Sequence, residues 1–292
     1  CILMETEIWP NLIHALKQYN IPSILINARL SARSLEKYQK YAPTLIRKTL
    51  NDLNLIATQN QNSAARFIQL GAPKDQVVNT GNIKFDLNPI ANSAITDELK
   101  QIIGQRKVIS FASTHAGEEA QIIKSYLKVQ DRIDALLVII PRHPERFNEV
   151  EKLAKNASLT SARRSNAKPN TTAQILLGDS MGEMLSYFSI SDVVFMGGSL
   201  NQTGGHNMLE PAALSKPIIF GPNVFNFAEI SSDLLNNQGA IQVQNADELF
   251  TQIIDLLDSP EQLNNLGTNA KQYFDSQQGA VKKIAKLVES II

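Results

Sequence analysis

The stretch ALLVIIPRHPERF, residues 135–147, contains the unit from which the fold is built. Its first six residues are all apolar, which predicts a buried strand. A polar loop with two prolines follows, and from Phe147 onward apolar side chains recur at helical spacing. A buried strand followed by a helix is the repeating unit of a parallel sheet covered by helices on both faces.

The same unit recurs along the chain in two series. The first series has predicted strands at 1–4, 24–26, 53–57 and 77–80 and predicted helices at 9–19, 34–50 and 63–70. The second has predicted strands at 108–112, 135–140, 175–177, 193–196 and 218–220 and predicted helices at 118–127, 147–155, 181–188, 208–214, 247–255, 260–275 and 280–292. The alternation predicts an α/β protein with doubly wound sheets.

A segment without periodicity, residues 87–94, separates the two series and is predicted to be the linker. We therefore expect one domain over residues 1–90 and a second over residues 91–275. Residues 276–292 are expected to form a helix that can pack back on the first domain. Because the chain starts at Cys1 in the middle of an apolar run, we expect a fragment whose first domain is incomplete at its N-terminus.

The composition excludes several classes of protein. The 28 Lys and Arg residues balance 28 Asp and Glu residues, so bulk positive charge cannot drive binding to nucleic acid, and no such partner is expected. The apolar runs are much shorter than the roughly 20 residues of a membrane span. The single cysteine, Cys1, excludes an intrachain disulfide.

Ligands of parallel sheets bind beyond the carboxyl ends of the strands, so the loops that follow strands are the candidates for a functional site. The most specific loop is GGSLNQTGGHNMLEP, residues 197–211, which has four glycines and leads into a helix. Gly205, His206 and Asn207 are expected at the start of that helix, where free N–H groups favour a phosphate or carboxylate. The alternative is a surface loop with Asn207 as an ordinary helix cap.

Three further loops of the second series carry polar side chains. In the loop 141–147, Arg142 offers a planar fork suited to phosphate and His143 can donate to the same anion, whereas Arg146 is expected to form a structural ion pair. In the loop 178–184, Asp179 is either a helix cap or part of a second anion or ribose site. Ser113 and Thr114 either contact substrate or cap a helix.

In the first series, Glu5 and Glu7 follow the first strand and Arg29 follows the second. Carboxylates so placed can act as a base or accept from sugar hydroxyls, and Arg29 can hold an anion. Glu7 is expected only to favour the start of the next helix. The four histidines are far apart in the sequence and no metal-binding spacing occurs, so no metal site is predicted.

The loops together resemble one family, the 3-deoxy-D-manno-octulosonic acid (Kdo) transferases of Gram-negative bacteria. The matching segments are METEIWPNL (4–12), NARLSARS (27–34), TGNIKFD (80–86), STH (113–115), PRHPERF (141–147), GDSMGE (178–183), the loop 197–211, GP (221–222) and NF (226–227). They follow one another in order over nearly the whole chain.

The resemblance implies a GT-B fold of two Rossmann-like domains, the first incomplete here. It implies an inverting, metal-independent and cofactor-free transfer of Kdo from CMP-Kdo to a lipid A precursor in lipopolysaccharide biosynthesis. It places the full-length enzyme at the cytoplasmic face of the bacterial inner membrane. The residues it assigns to CMP are Pro141, Arg142, His143, Asp179, Met181, Gly182, Gly204, Gly205, His206, Asn207 and Glu210; Glu5, Arg29, Ser113 and Thr114 are candidate substrate contacts.

One departure from the family bears on activity. Family members carry a membrane anchor and a general-base glutamate, in a Ser-Val-Gly-Glu motif, before the position of Cys1, and this motif does not occur here. The resemblance therefore implies that the isolated chain binds donor nucleotide but transfers little sugar. The alternatives are another GT-B enzyme that uses a UDP-sugar, either a transferase or a 2-epimerase, and a non-catalytic module that binds a nucleotide sugar.

Overall fold

Alternating strands and helices form two units in the computed structural model, which describes residues 1–291. Unit 1 contains Cys1–Leu87 together with the residues from Ser276 onward, and unit 2 contains Asn88–Asp275. Every strand pair in both units is parallel, which confirms the predicted α/β class. Within the described residues, no helix has the length and apolar character needed to cross a membrane.

Unit 1 is a four-stranded sheet in the order β1-β2-β3-β4, so its strands follow the order of the chain. The apolar residues of β2 and β3 pack against helices on both faces, and Ile284 of the last helix packs against Ile24 and Leu55. Its elements are β1 Ile2–Met4, α1 Pro10–Gln18, β2 Ile24–Ala28, α2 Ala32–Tyr41, α3 Pro43–Asp52, β3 Leu55–Thr58, α4 Gln61–Gln69, β4 Val77–Asn79 and, from the end of the chain, α13 Ala280–Glu289.

Unit 2 is a seven-stranded sheet in the order β11-β10-β9-β5-β6-β8-β7. Its central strands are completely buried, because helices cover both faces. Its elements are α5 Ser93–Ile103, β5 Lys107–Thr114, α6 Glu118–Leu127, β6 Ala135–Pro141, α7 Phe147–Asn156, β7 Ser161–Arg163, β8 Ile175–Leu177, α8 Met184–Ile190, β9 Val193–Met196, α9 Leu209–Ala213, β10 Ile218–Phe220, α10 Ala228–Asn236, β11 Ala240–Gln242, α11 Ala246–Asp258 and α12 Pro260–Ser276.

Two predicted helices were wrong in extent. The single helix predicted over 34–50 is two helices, because Pro43 lacks an amide and Ala42 leaves the helical region with φ −147°. The helix predicted from residue 181 begins at Met184, because Gly182 has φ +78° and cannot continue a right-handed helix. Helix α5 starts inside the predicted linker, where Asn92 accepts from the amide of Ile95 and so caps it.

Four elements were not predicted at all: α5, β7, α10 and β11. The two strands are three residues long and lie at the two edges of the sheet, so they have little apolar pattern of their own. The predicted extension of the last helix to residue 292 lies outside the described residues. By contrast, Gly71 follows α4 with φ +103°, as predicted for a glycine that ends a helix.

Candidate functional site

A cavity of about 320 Å³ lies within unit 2 at the carboxyl ends of β5, β6, β8 and β9. We call it the donor cavity, after the donor-nucleotide site that the resemblance leads us to expect there. The order of the strands reverses between β5 and β9, because the chain first builds the sheet toward β7 and then returns to the other side of β5. Such a reversal leaves a crevice between the loops that follow the two strands. The lining residues are Ser113, Ile140, Pro141, Arg142, Ser180, Met181, Gly182, Met184, Tyr187, Phe188, Met196, His206, Asn207 and Glu210.

Arg142 supplies the positive charge at the donor cavity. It directly follows Pro141, the buried last residue of β6, and its backbone amide donates to the carbonyl of Thr114 at 3.0 Å. The backbone of Arg142 is therefore held to the end of β5. Among residues 1–291 its exposed guanidinium has no hydrogen bond or salt bridge, so all five of its N–H donors remain available to a ligand.

Two groups of backbone amides without partners in the described chain lie beside the cavity. The first belongs to Ser180, Met181 and Gly182, in the turn before α8. Apart from its two chain neighbours, no atom of residues 1–291 lies within 4 Å of the position that a Cβ of Gly182 would take, so this turn is open to a ligand. The second group belongs to His206, Asn207 and Met208, before α9. Together with Arg142, these amides suit an anion.

Gly204 and Gly205, the two predicted site glycines of the loop 197–211, have a different role. The amides of Gly204 and Gly205 donate to the carbonyl of Gly198 at 3.0 and 2.8 Å, so they are not free for a ligand. Both residues are buried, and their φ values of +101° and +78° fold the loop back on itself. The helix that follows has only five residues, so Arg142 and the free amides must supply most of the positive field.

Glu210 lies in the wall of the cavity near the start of α9. No donor within residues 1–291 hydrogen-bonds to its carboxylate, and burial raises its pKa. A carboxylate in this state can accept from the hydroxyl groups of a sugar. The lining also contains the apolar side chains of Ile140, Met184 and Met196, against which a ring can pack.

Three histidines that are far apart in the sequence meet beside the cavity. The Nε2 atoms of His115 and His206 are 2.7 Å apart, and the His143 ring packs edge-on against His115 with 5.3 Å between centroids. Burial and the charges of His115 and Arg142 lower the pKa of His206 to about 4, and burial also lowers the pKa of His115. A contact between two ring nitrogens needs one donor and one acceptor, so one of these two Nε2 atoms carries a proton and the other accepts the hydrogen bond.

Asp179 is neither a helix cap nor a residue of the cavity wall. Its carboxylate accepts from the amide and hydroxyl of Ser165 at 2.9 and 2.7 Å and lies 4.0 Å from Arg163. Ser113 lines the cavity with φ +55°, whereas Thr114 is completely buried beneath it. Arg146 forms the predicted structural ion pair, with Glu119 at 2.5 Å.

Glu5 and Arg29 lie together at the carboxyl edge of the sheet of unit 1. The amide of Arg29 donates to the carbonyl of Glu5 at 3.3 Å, and the carboxylate of Glu5 lies 3.9 Å from Lys84. Glu7 accepts from the indole N–H of Trp9 at 2.7 Å. Glu5 is in the left-handed region with φ +56°, which is uncommon for a residue with a side chain.

Glu118 is the principal residue of the site that sequence reasoning missed. It is completely buried, and its carboxylate accepts from four backbone amides, three of them in the glycine-rich loop. The sequence around Glu118 does not indicate a contact with a distant loop, because a glutamate at the start of a helix usually interacts only with that helix. Across residues 1–291 no group of three or more His, Cys, Asp or Glu side chains could hold a metal ion.

Comparisons with known proteins place this geometry in a family. Residues 1–87 match the family described as 3-deoxy-D-manno-octulosonic-acid transferase (kdotransferase), and residues 120–273 match glycosyl transferases group 1. A 3-deoxy-D-manno-octulosonic acid transferase of Haemophilus influenzae is 43% identical over 99% of this chain and 69% of its own length. The chain belongs to the Kdo transferase family. The predicted family, its transferase function and its status as an enzyme are thereby confirmed.

Two further comparisons extend this assignment. A transferase of the same name from Bordetella pertussis is 33% identical over 99% of this chain, which spans 69% of that protein. The C-terminal CMP-Kdo binding domain of WaaA from Acinetobacter baumannii is 34% identical with a TM-score of 0.58, over 62% of this chain and 98% of that domain.

More distant structures are similar in fold alone. UDP-GlcNAc 2-epimerase from Neisseria meningitidis superposes with a TM-score of 0.65 over 99% of this Kdo transferase chain and 75% of the epimerase, at 16% identity. Group 1 glycosyltransferases and such epimerases share the GT-B fold that was predicted for this chain, and the predicted fold class is confirmed.

Proposed function

We propose that unit 2 binds the CMP moiety of CMP-Kdo in the donor cavity and that the protein transfers Kdo to a lipid A precursor. The observation that carries this proposal is the convergence of Arg142 and two groups of free amides on one cavity. The resemblance of unit 2 to a solved CMP-Kdo binding domain supports the choice of nucleotide. We further propose that transfer takes place at the cytoplasmic face of the inner membrane, where the acceptor lipid lies.

The chemistry of transfer explains why an anion site is needed. The bond between the anomeric carbon of Kdo and an oxygen of the phosphate breaks, and the electron pair leaves with the phosphate of CMP. An acceptor hydroxyl attacks the opposite face of that carbon, which inverts it, and loses its proton to a base. Arg142 and the amides beside Met181 and Asn207 would stabilise the charge that develops on the departing phosphate.

The other cavity residues have distinct proposed roles. The unpaired carboxylate of Glu210 would accept from a hydroxyl of the ribose or of Kdo. The apolar wall of Ile140, Met184 and Met196 would pack against the cytosine ring or the ribose. Glu5 and Arg29 are proposed to contact the acceptor or the Kdo carboxylate. The resemblance assigns the general base to a glutamate in a Ser-Val-Gly-Glu motif, which does not occur in this sequence, so we propose none of these residues as the base.

The test is a calorimetric titration of this chain with CMP and, separately, with UDP. We expect binding of CMP that UDP does not match. Arg142→Ala should weaken CMP binding by about a hundredfold, because it removes a charge-assisted contact worth up to about 3 kcal/mol. Arg132→Ala is the matched control, since Arg132 is an exposed arginine that precedes β6 and does not line the cavity.

Two outcomes of the titration would contradict the proposal. Equal or tighter binding of UDP would replace the proposal with a UDP-sugar enzyme of the same fold. Equal losses in Arg142→Ala and Arg132→Ala would show that charge in general, and not the donor cavity, attracts the nucleotide. We also propose that donor binding needs no metal ion, so the affinity for CMP should be the same with EDTA as with added Mg²⁺.

A further inference from the structure

Two consecutive glutamates at the start of α6 are completely buried, yet their carboxylates have different partners. Glu119 pairs with the guanidinium of Arg146. Glu118 has no cationic partner among the described residues; it accepts instead from the amides of His115 at 2.9 Å, Gly198 at 2.7 Å, Ser199 at 3.0 Å and Leu200 at 2.9 Å. Three of these four donors lie about eighty residues further along the chain.

The bonds to Glu118 divide the glycine-rich loop into two parts. The amides of residues 198–200 are used by the carboxylate and cannot bind a phosphate. The carbonyl of Gly198 in turn accepts from the amides of Gly204 and Gly205, so the second half of the loop rests on the first half. The free amides of residues 206–208 follow directly after these bonds. A chain of hydrogen bonds therefore runs from Glu118 to the anion-binding part of the loop.

A second connection between Glu118 and the glycine-rich loop runs through two histidines. Glu118 accepts from the amide of His115, and the ring of His115 meets the ring of His206 with 2.7 Å between Nε2 atoms. The position that a Cβ of Gly198 would take is 3.1 Å from the His206 ring, so the loop and the ring are also in close contact. Both routes from Glu118 end at His206, which lines the donor cavity.

We propose that Glu118 is a positioning residue for the donor site, whose ionised carboxylate fixes the glycine-rich loop so that residues 206–208 present their amides to the donor phosphate. This inference rests on the proposed function. Four N–H donors around one carboxylate match the acceptor capacity of its ionised form. Burial raises the pKa of Glu118 and the four amides oppose that shift.

The direction in which CMP affinity changes distinguishes a positioning role of Glu118 from a purely electrostatic one. Glu118 is a buried negative charge close to a site for an anion, so its removal would by charge alone tighten the binding of CMP. Glu118→Gln keeps the size of the side chain but turns an N–H group toward amides that need an acceptor. If positioning dominates, the affinity for CMP falls by about tenfold, the equivalent of one lost hydrogen bond to a charged group.

The experiment compares Glu118→Gln with Glu119→Gln, which alters the neighbouring buried carboxylate but none of the loop bonds. CMP affinity is measured by calorimetry, and amide hydrogen exchange is measured for residues 197–208 without ligand. We expect slow exchange at Gly198, Ser199 and Leu200 in the parent chain. We expect fast exchange there, with weaker CMP binding, in Glu118→Gln alone. Glu118→Asp, which keeps the charge but shortens the reach, should give the same direction of change and serves if Glu118→Gln does not fold.

Unchanged or tighter CMP binding in Glu118→Gln would overturn the proposal, as would fast exchange at residues 198–200 in the parent chain. Equal loss of CMP affinity in Glu119→Gln would also overturn it, because the effect would then be one of general stability. If the parent chain does not bind CMP at all, the proposed function fails, whereas the exchange of residues 198–200 still decides whether Glu118 fixes the loop.

Discussion

The carboxyl edges of the two sheets differ although both sheets are parallel and helix-covered. In unit 2 the strand order reverses between β5 and β9, and a cavity lies at that point. In unit 1 the four described strands follow the order of the chain, and Glu5 and Arg29 lie on an edge without such a reversal. Strand polarity alone therefore does not make a binding site. A crevice forms where neighbouring loops leave the sheet in opposite directions.

The edges also differ in how their loops are supported. A buried carboxylate holds the glycine-rich loop of unit 2, since Glu118 is completely buried and accepts from three amides of that loop. In unit 1 the carboxylate of Glu5 is one-third exposed and its cationic neighbour Lys84 is nearly half exposed. A buried polar group whose hydrogen bonds are satisfied rigidifies its surroundings, whereas an exposed ion pair contributes little. We therefore expect substitutions to have unequal effects in the two units.

The largest effect should follow Arg146→Met, which leaves Glu119 buried without its partner. Breaking a buried ion pair in this way costs about 3–5 kcal/mol. Thermal unfolding should show a large loss of stability in unit 2, with amide exchange in unit 1 unchanged. The double variant Arg146→Met with Glu119→Leu should recover much of the loss, and a failure to recover would show that the pair is not the cause.

Gly197→Ala should have the next largest effect. A Cβ at this position would lie 2.6 Å from the carbonyl oxygen of Ser113, so the ends of β9 and β5 must separate. We expect a loss of about 3 kcal/mol in the free energy of unfolding, together with loss of CMP binding. Gly182→Ala, in the wall of the cavity, is the contrasting variant, since its Cβ would meet no atom of residues 1–291 within 4 Å apart from its chain neighbours, and the change should cost only about 1 kcal/mol for its positive φ.

The histidine cluster should make the stability of unit 2 depend on pH. The pKa of His206 is about 4 in the folded protein, below the ordinary value of about 6.5, so the unfolded chain binds more protons between these values. Stability should therefore fall as the pH falls from about 6.5 to about 4. The groups around the two rings are His143, Arg142, Arg146 and Glu119.

Denaturant unfolding as a function of pH measures this dependence. His206→Gln removes the titrating ring and should flatten the curve between pH 6.5 and 4. A variant at His14, which lies in unit 1 beside Asp52 and Gln18, is the control. An unchanged slope in His206→Gln would mean that another group is responsible for the acid sensitivity.

The smallest effect is expected for Glu5→Gln. It removes an exposed pair with 3.9 Å between Glu5 and Lys84, and such pairs contribute about 0–1 kcal/mol. Thermal unfolding should be nearly unchanged, and so should CMP affinity. A loss of several kcal/mol would erase the contrast between the two edges, because Glu5 would then support its loop as strongly as Glu118 supports the glycine-rich loop.

Much of the fold could be predicted because its main strands are short apolar runs bounded by polar loops. β8, β9 and β10 were predicted with their observed bounds. The edge strands β7 and β11 were missed because each has only three residues, most of them half-buried, and so has no distinctive pattern. Helix α8 was predicted to begin too early, because the left-handed φ of Gly182 is a property of the backbone that a helical spacing of side chains does not reveal.

The predicted site residues also divide into those that the structure places at the cavity and those that it does not. Pro141, Arg142, Met181, Gly182, His206, Asn207 and Glu210, which were selected from loops after strands, do line one cavity. Gly204 and Gly205 do not line it, and their amides are used within the loop. Asp179 holds Ser165 instead of facing the cavity. A sequence indicates that a loop is polar and rich in glycine, but not which of its donors already have partners.

The sequence by itself determined the parallel α/β architecture, the loops that carry the chemistry and the family to which the chain belongs. These properties depend on local hydrophobic pattern and on short motifs, which need no knowledge of distant residues. Only the tertiary structure decided that His115, His143 and His206 meet, that Glu118 holds a loop eighty residues away and which amides stay free. These properties depend on strand order, because the reversal at β5 and β9 brings together loops that are remote in the chain.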